Sequence, residues 1–238
     1  MSHQFTGKKG LRLLLYTALL AALGLPALAM AHSIAEGDAR FVVGADGPAI
    51  IPFIYLGAKH MVSGFDHLLF LAGVIFFLYR PIDVVKYVTL FAVGHSITLI
   101  LGVLADIRIN AHLVDAIIGL SIVYKALENM GAFNNLGRFR PDTRVAVFAF
   151  GLFHGFGLAS SLQELELSPE GLLTNLISFN IGVELGQLFA LGFMLLAFSV
   201  WRSYSSFEKH AFLANTIIMT GGFLAIAYQL TSWYLQSA

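Results

Sequence analysis

Two histidines and an aspartate open the first long apolar stretch after the N-terminus: His60, five residues, then Asp66 and His67. A neutral imidazole keeps a lone pair on one ring nitrogen and is the commonest metal ligand. A carboxylate beside it can coordinate as well or fix its orientation. On one continuous helix, residues seven apart share a face and lie about 10 Å apart along the axis. That spacing predicts an outer pair, with His67 two turns deeper than His60. Later apolar stretches carry His95, His154 and Glu184. Ionisable side chains cost so much inside hydrocarbon that they mark ion paths and relays. The expected metal ligands are therefore His60, Asp66, His67, His95, His154 and Glu184. Asn180 and Gln187 share a helical face on either side of Glu184, and Asp115 lies near the outer end of its stretch. These three are the expected supporting residues.

Gly151 and Gly155 frame His154, and Gly182 and Gly186 frame Glu184. Glycines four apart let helix backbones approach closely, so side chains nearby can meet across the interface. Competing structural roles are plain for several polar groups. A membrane histidine often serves as an interhelical hydrogen-bond donor. Lys125 and Glu128 have the spacing of a simple i,i+3 ion pair. His112 and His210 fall at span ends and are expected to be interfacial.

These residues need a membrane scaffold. The 238 residues are 58% hydrophobic and 12% charged, with zero formal net charge and no cysteine. Soluble domains carry about 25% charged residues. Lack of cysteine excludes disulfides, thiolate zinc sites and iron–sulfur clusters, leaving imidazole, carboxylate and carbonyl ligands. The charge balance gives no sign of nucleic-acid binding.

The expected fold is all-α: a polytopic membrane helical bundle with six transmembrane helices after an N-terminal signal peptide. Lys8, Lys9 and Arg12 form a basic region, residues 13–25 an apolar core, and Pro26 ends it. Ala27-Leu28-Ala29 and Ala29-Met30-Ala31 both offer small residues at the cleavage spacing; cleavage after Ala31, removing residues 1–31, is expected, with an uncleaved anchor helix as the alternative. Residues 32–56 read as an external segment whose last part, 50–56, is an interfacial lead-in. Residues 57–238 are the membrane domain, with spans at 57–79, 84–104, 112–130, 144–162, 172–201 and 211–235. Each offers about the 19 residues needed to cross hydrocarbon.

With residue 32 outside, the cytoplasmic loops carry Arg80, Lys86, Arg138, Arg140, Arg144, Arg202 and Lys209. The external side carries Arg40, Lys59 and Arg108, and an acidic loop with Glu164, Glu166 and Glu170. This bias places both mature termini outside, across the inner (plasma) membrane.

His60-x5-Asp66-His67 together with Phe153-His154-Gly155 resembles the HupE/UreJ family of hydrogenase- and urease-associated nickel permeases. Gly94-His95-Ser96-Ile97-Thr98 and the stretch from Phe179 to Gln187 are similar to a second branch of it. The resemblance implies a small secondary permease for divalent nickel, with the first-span motif and the Phe-His-Gly segment required for transport. The better-known branch continues with another His-Gly and a glutamate, where this chain has Phe156-Gly157. Glu184 on the next span is the expected replacement.

The leading functional expectation is a permease for a divalent transition metal, nickel first, with zinc, copper and cobalt as alternatives. The metal is its substrate and the bilayer its surroundings. With no Walker motif, an ion gradient or the membrane potential must drive it. The alternatives are an intramembrane metal-dependent enzyme and a membrane assembly factor that hands metal to a metalloenzyme maturation partner. No His-x3-His or His-Glu-x2-His pair supports the enzyme.

Overall fold

The computed structural model describes residues 42–44, 46–139, 141–163 and 168–237. The expected signal peptide and cleavage site, Arg40, Arg140, Glu164 and Glu166 lie outside the described residues. Among those described, all regular structure is helical. The α-helices are α1 (Ile50–Ser63), α2 (Phe65–Ile75), α3 (Pro81–Leu104), α4 (Ala111–Asn129), α5 (Thr143–Gln163), α6 (Leu172–Arg202) and α7 (Ser206–Ser237), with a short 3-10 segment at Asn134–Phe139. Four of them, α3, α5, α6 and α7, are long and apolar enough to cross a membrane. The chain is a membrane protein.

The first expected span departs most from a single helix. Gly64 leaves the helical region (ψ 104°) and divides it into α1 and α2. A side chain at Gly64 would come within 2.6 Å of His67 Nδ1, so the break needs glycine. The helix also begins at Ile50, so the boundary expected at 56/57 falls inside α1 without interruption. At α3 the helix starts earlier than its apolar run, because Pro81 occupies the first turn and Asp83 suits the helix N-terminus.

Glycine-lined contacts join the helices in pairs. A methyl group on Gly182 would overlap the Ile54 carbonyl, and one on Gly186 would meet Ala58, so α1 and α6 lie backbone to backbone. Gly151 meets Phe91 and Gly155 meets His95 in the same way, joining α3 to α5. Gly119 and Gly222 join α4 to α7. The registers give direction. Numbers rise together in the first two pairs, which are parallel, and oppositely in α4·α7, where Asp115 meets Gln229 and Asn129 meets Asn215. With α2 continuing the direction of α1, the six segments alternate up and down.

Polar contacts tie each end. At one end the Arg202 guanidinium donates to the carbonyls of Ile75, Phe76 and Leu78 at 2.5, 2.7 and 3.0 Å. It caps the C-terminus of α2 and lies 4.7 Å from the Tyr79 ring. Glu128 receives Lys125 Nζ at 2.7 Å and the Thr143 hydroxyl. At the other end Gln163 donates to the Gly102 carbonyl at 2.6 Å, and Asn175 donates to Gly47 at 3.0 Å.

Candidate metal centre

The break at Gly64 sets the geometry. It turns α2 so that the His67 ring centroid lies 5.0 Å from that of His60. This is about half the separation that a continuous helix would impose. His67 then reaches across to α5, 5.2 Å from His154, and to α3, 6.4 Å from His95. The outer pair and the deeper histidines expected from the sequence therefore form one cluster. His67 is at its centre, 3% exposed.

Asp66 occupies the first turn of α2, where the helix dipole favours a carboxylate. Its oxygens lie 3.2 and 3.3 Å from His67 Nδ1. A carboxylate accepting from Nδ1–H leaves the lone pair on Nε2, the usual way a ligating imidazole is oriented. The same logic fixes His154, whose Nδ1 donates to the Phe150 carbonyl at 2.8 Å. Its Nε2 must then carry the lone pair, and it is buried with no hydrogen-bond partner among the described residues. His95 Nε2 is also buried and unpartnered, while Asn180 from α6 faces the His95 imidazole.

Phe70 and Phe91 wall the cluster, at 5.4 and 4.8 Å from the His154 ring. The walls lower the local polarity and exclude water, which strengthens any ion–ligand attraction inside. Among the described residues no three imidazole or carboxylate groups already converge as a metal cage.

Glu184 does not join them. It is exposed on the outer face of α6, beside the exposed apolar residues Ile181, Leu185 and Leu188. The reason lies in the helical period. Gly182 and Gly186 are each two residues from Glu184, about 200° around the helix, so the glycine face packed on α1 turns Glu184 away. His154 stands one and three residues from its glycines and stays on the packed side. Replacing Glu184 with Gln is therefore expected to leave metal accumulation within about twofold of wild type, as for most surface changes. A loss comparable to that of a histidine variant in the same uptake assay would return Glu184 to the ion path.

The supporting residues separate. Asn180 reaches the cluster and Gln187 lies one to two turns farther along α6, buried. Asp115 accepts from Gln229 at 2.9 Å and lines a small cavity with Asp66, between α2, α4 and α7. Gln229 also accepts from His112 Nδ1 at 2.7 Å, so His112 belongs to an interhelical network, whereas His210 is exposed. Gly64, Phe70 and Phe91 went unnoticed in the sequence. A glycine set between His60 and Asp66 was the available sign of the break.

Comparison with known families decides the relationship. The family model described as HupE / UreJ protein matches residues 36–237. The chain belongs to the HupE/UreJ family. The match spans α1 to α7, so every residue of the HupE/UreJ histidine cluster lies inside it. No curated protein and no solved structure matches the chain.

Proposed function

We propose that this HupE/UreJ protein is a secondary permease for a divalent transition metal, with nickel as the first substrate to test. The observation that carries the reading is the convergence of His60, His95 and His154 on His67, with ring centroids 5.0–6.4 Å from that of His67. Imidazole donors suit nickel, and equally zinc, copper and cobalt. Six membrane-crossing segments, the first interrupted at Gly64, account for the alternating helix directions. The basic residues at the α2–α3 and α6–α7 turns support a cytoplasmic position for that end, with both mature termini outside the inner membrane.

In this scheme the ion arrives past half-buried His60, and Asp66 holds His67 with Nε2 turned to receive it. His154, held by Phe150, and His95, steadied by Asn180, complete the set. An interrupted helix suits such a site. The two halves on either side of Gly64 can tilt separately, as in other transporters with broken helices.

The test is direct binding and uptake by the intact chain. Purified wild-type protein should bind one divalent nickel per chain by calorimetry, and expressing cells should accumulate radioactive nickel above vector controls. Absence of both sinks the permease reading. Binding without uptake would replace it with a metal-holding accessory role.

A further inference from the structure

Beyond the cluster, a narrow cavity continues from His67 toward the end of the bundle where α2 stops. Along α2 it runs from His67 past Phe70 to Val74, and along α3 from Phe91 back to Tyr87. Val147 of α5 and Gln187 of α6 close it. Phe70 and Val74 on α2, Phe91 and Tyr87 on α3, and Val147 on α5 all lie on the α2 C-terminal side of their own helix's histidine, and Gln187 lies about two turns beyond Asn180 toward the same end. The cavity has room for about one water-sized sphere.

Its walls are almost wholly apolar, and Gln187 is the exception that matters. The side chain is 2% exposed. Nε2 points to the Val88 carbonyl at a long 3.5 Å. A carbonyl only accepts, so the amide nitrogen belongs on that side and Oε1 on the other. Oε1 is buried without a hydrogen-bond partner among the described residues. Buried carbonyl oxygens are ordinarily satisfied, and one left open beside an ion-sized space calls for a ligand.

We propose that Gln187 is the release-side ligand for the transported cation. Its amide oxygen takes the divalent ion from His67 in this cavity before the ion leaves toward the cytoplasmic end. The inference rests on the permease reading above and assigns its exit step. An amide oxygen is a harder and weaker ligand than imidazole for late first-row metals. An ion shared between that oxygen and His67, which line the same cavity, is bound well enough to leave the other histidines and loosely enough to depart. Conduction requires that balance at successive sites. Direct release from the imidazoles into an apolar passage would have no intermediate stop.

The experiment compares wild type, Gln187→Leu and Gln187→Glu in two assays: nickel binding to purified protein, and radioactive nickel accumulation in cells. Gln187→Leu should bind nickel with wild-type stoichiometry and with affinity within about threefold. Its accumulation rate should fall about 10–100-fold, the size of effect seen when a group supporting a metal site is lost. Gln187→Glu, which keeps an oxygen at the same reach, should recover accumulation above the Leu variant. Wild-type accumulation by Gln187→Leu overturns the proposal. So does a parallel loss of nickel binding in both variants, which would put Gln187 in the histidine site or in the fold itself. Failure of wild type to bind and accumulate would instead overturn the permease reading.

Discussion

Replacing His67 with alanine is expected to abolish nickel accumulation, because its ring centroid lies within 6.4 Å of those of the other three histidines. Removing it opens the space between α2, α3 and α5 and takes away the ligand held by Asp66. His154→Ala should give the same null uptake, since its ring lies 5.2 Å from that of His67 and its Nε2 has no hydrogen-bond partner among the described residues. The two act on one path, so the double variant should be no worse than either single. Membrane levels must stay near wild type for the comparison to count, and immunoblotting of membrane fractions checks this. Normal accumulation by both single variants would remove the cluster from the transport path.

The largest expected effect on stability lies at the opposite end of α4. Lys125 Nζ meets Glu128 Oε2 at 2.7 Å, with side chains 9% and 7% exposed, and Glu128 also holds Thr143 at the start of α5. Removing one partner of a buried ion pair strands the other charge, at a cost of about 3–5 kcal/mol. Lys125→Ala should accordingly unfold at much lower temperature in detergent, followed by intrinsic fluorescence. The double variant Lys125→Met with Glu128→Leu should recover most of the loss, because no charge is then stranded. A Lys125→Ala protein that melts with wild type would mean that water reaches this pair freely.

Much of this protein was legible in its residues. Long apolar runs with few charges must be helices in a bilayer, since every backbone polar group there needs a partner within its own segment. Four of the six expected stretches form α3, α5, α6 and α7, each long and apolar enough to cross a membrane, while 112–130 forms α4 and 57–79 is divided between α1 and α2. The i,i+3 spacing of Lys125 and Glu128 announced their bond, because neighbours on one helix are fixed by its period alone. Gly151 and Gly155, and Gly182 and Gly186, were readable as close-approach sites for the same reason.

What the sequence could not decide is which way each helix faces and where one bends. Glu184 sits between two packing glycines in the chain yet opposite them in space, since rotation is set by the partner helix. A single glycine, Gly64, brought His60 and His67 to 5.0 Å, because its extended backbone replaced one helical step. The Arg202 cap on α2 and the contact of Gln187 Nε2 with the Val88 carbonyl join residues about 100 or more apart in the chain. No local period encodes such meetings. Sequence determined the helices and the ligand chemistry. Packing across α1·α6 and α3·α5 decided which imidazoles meet, and left Glu184 outside.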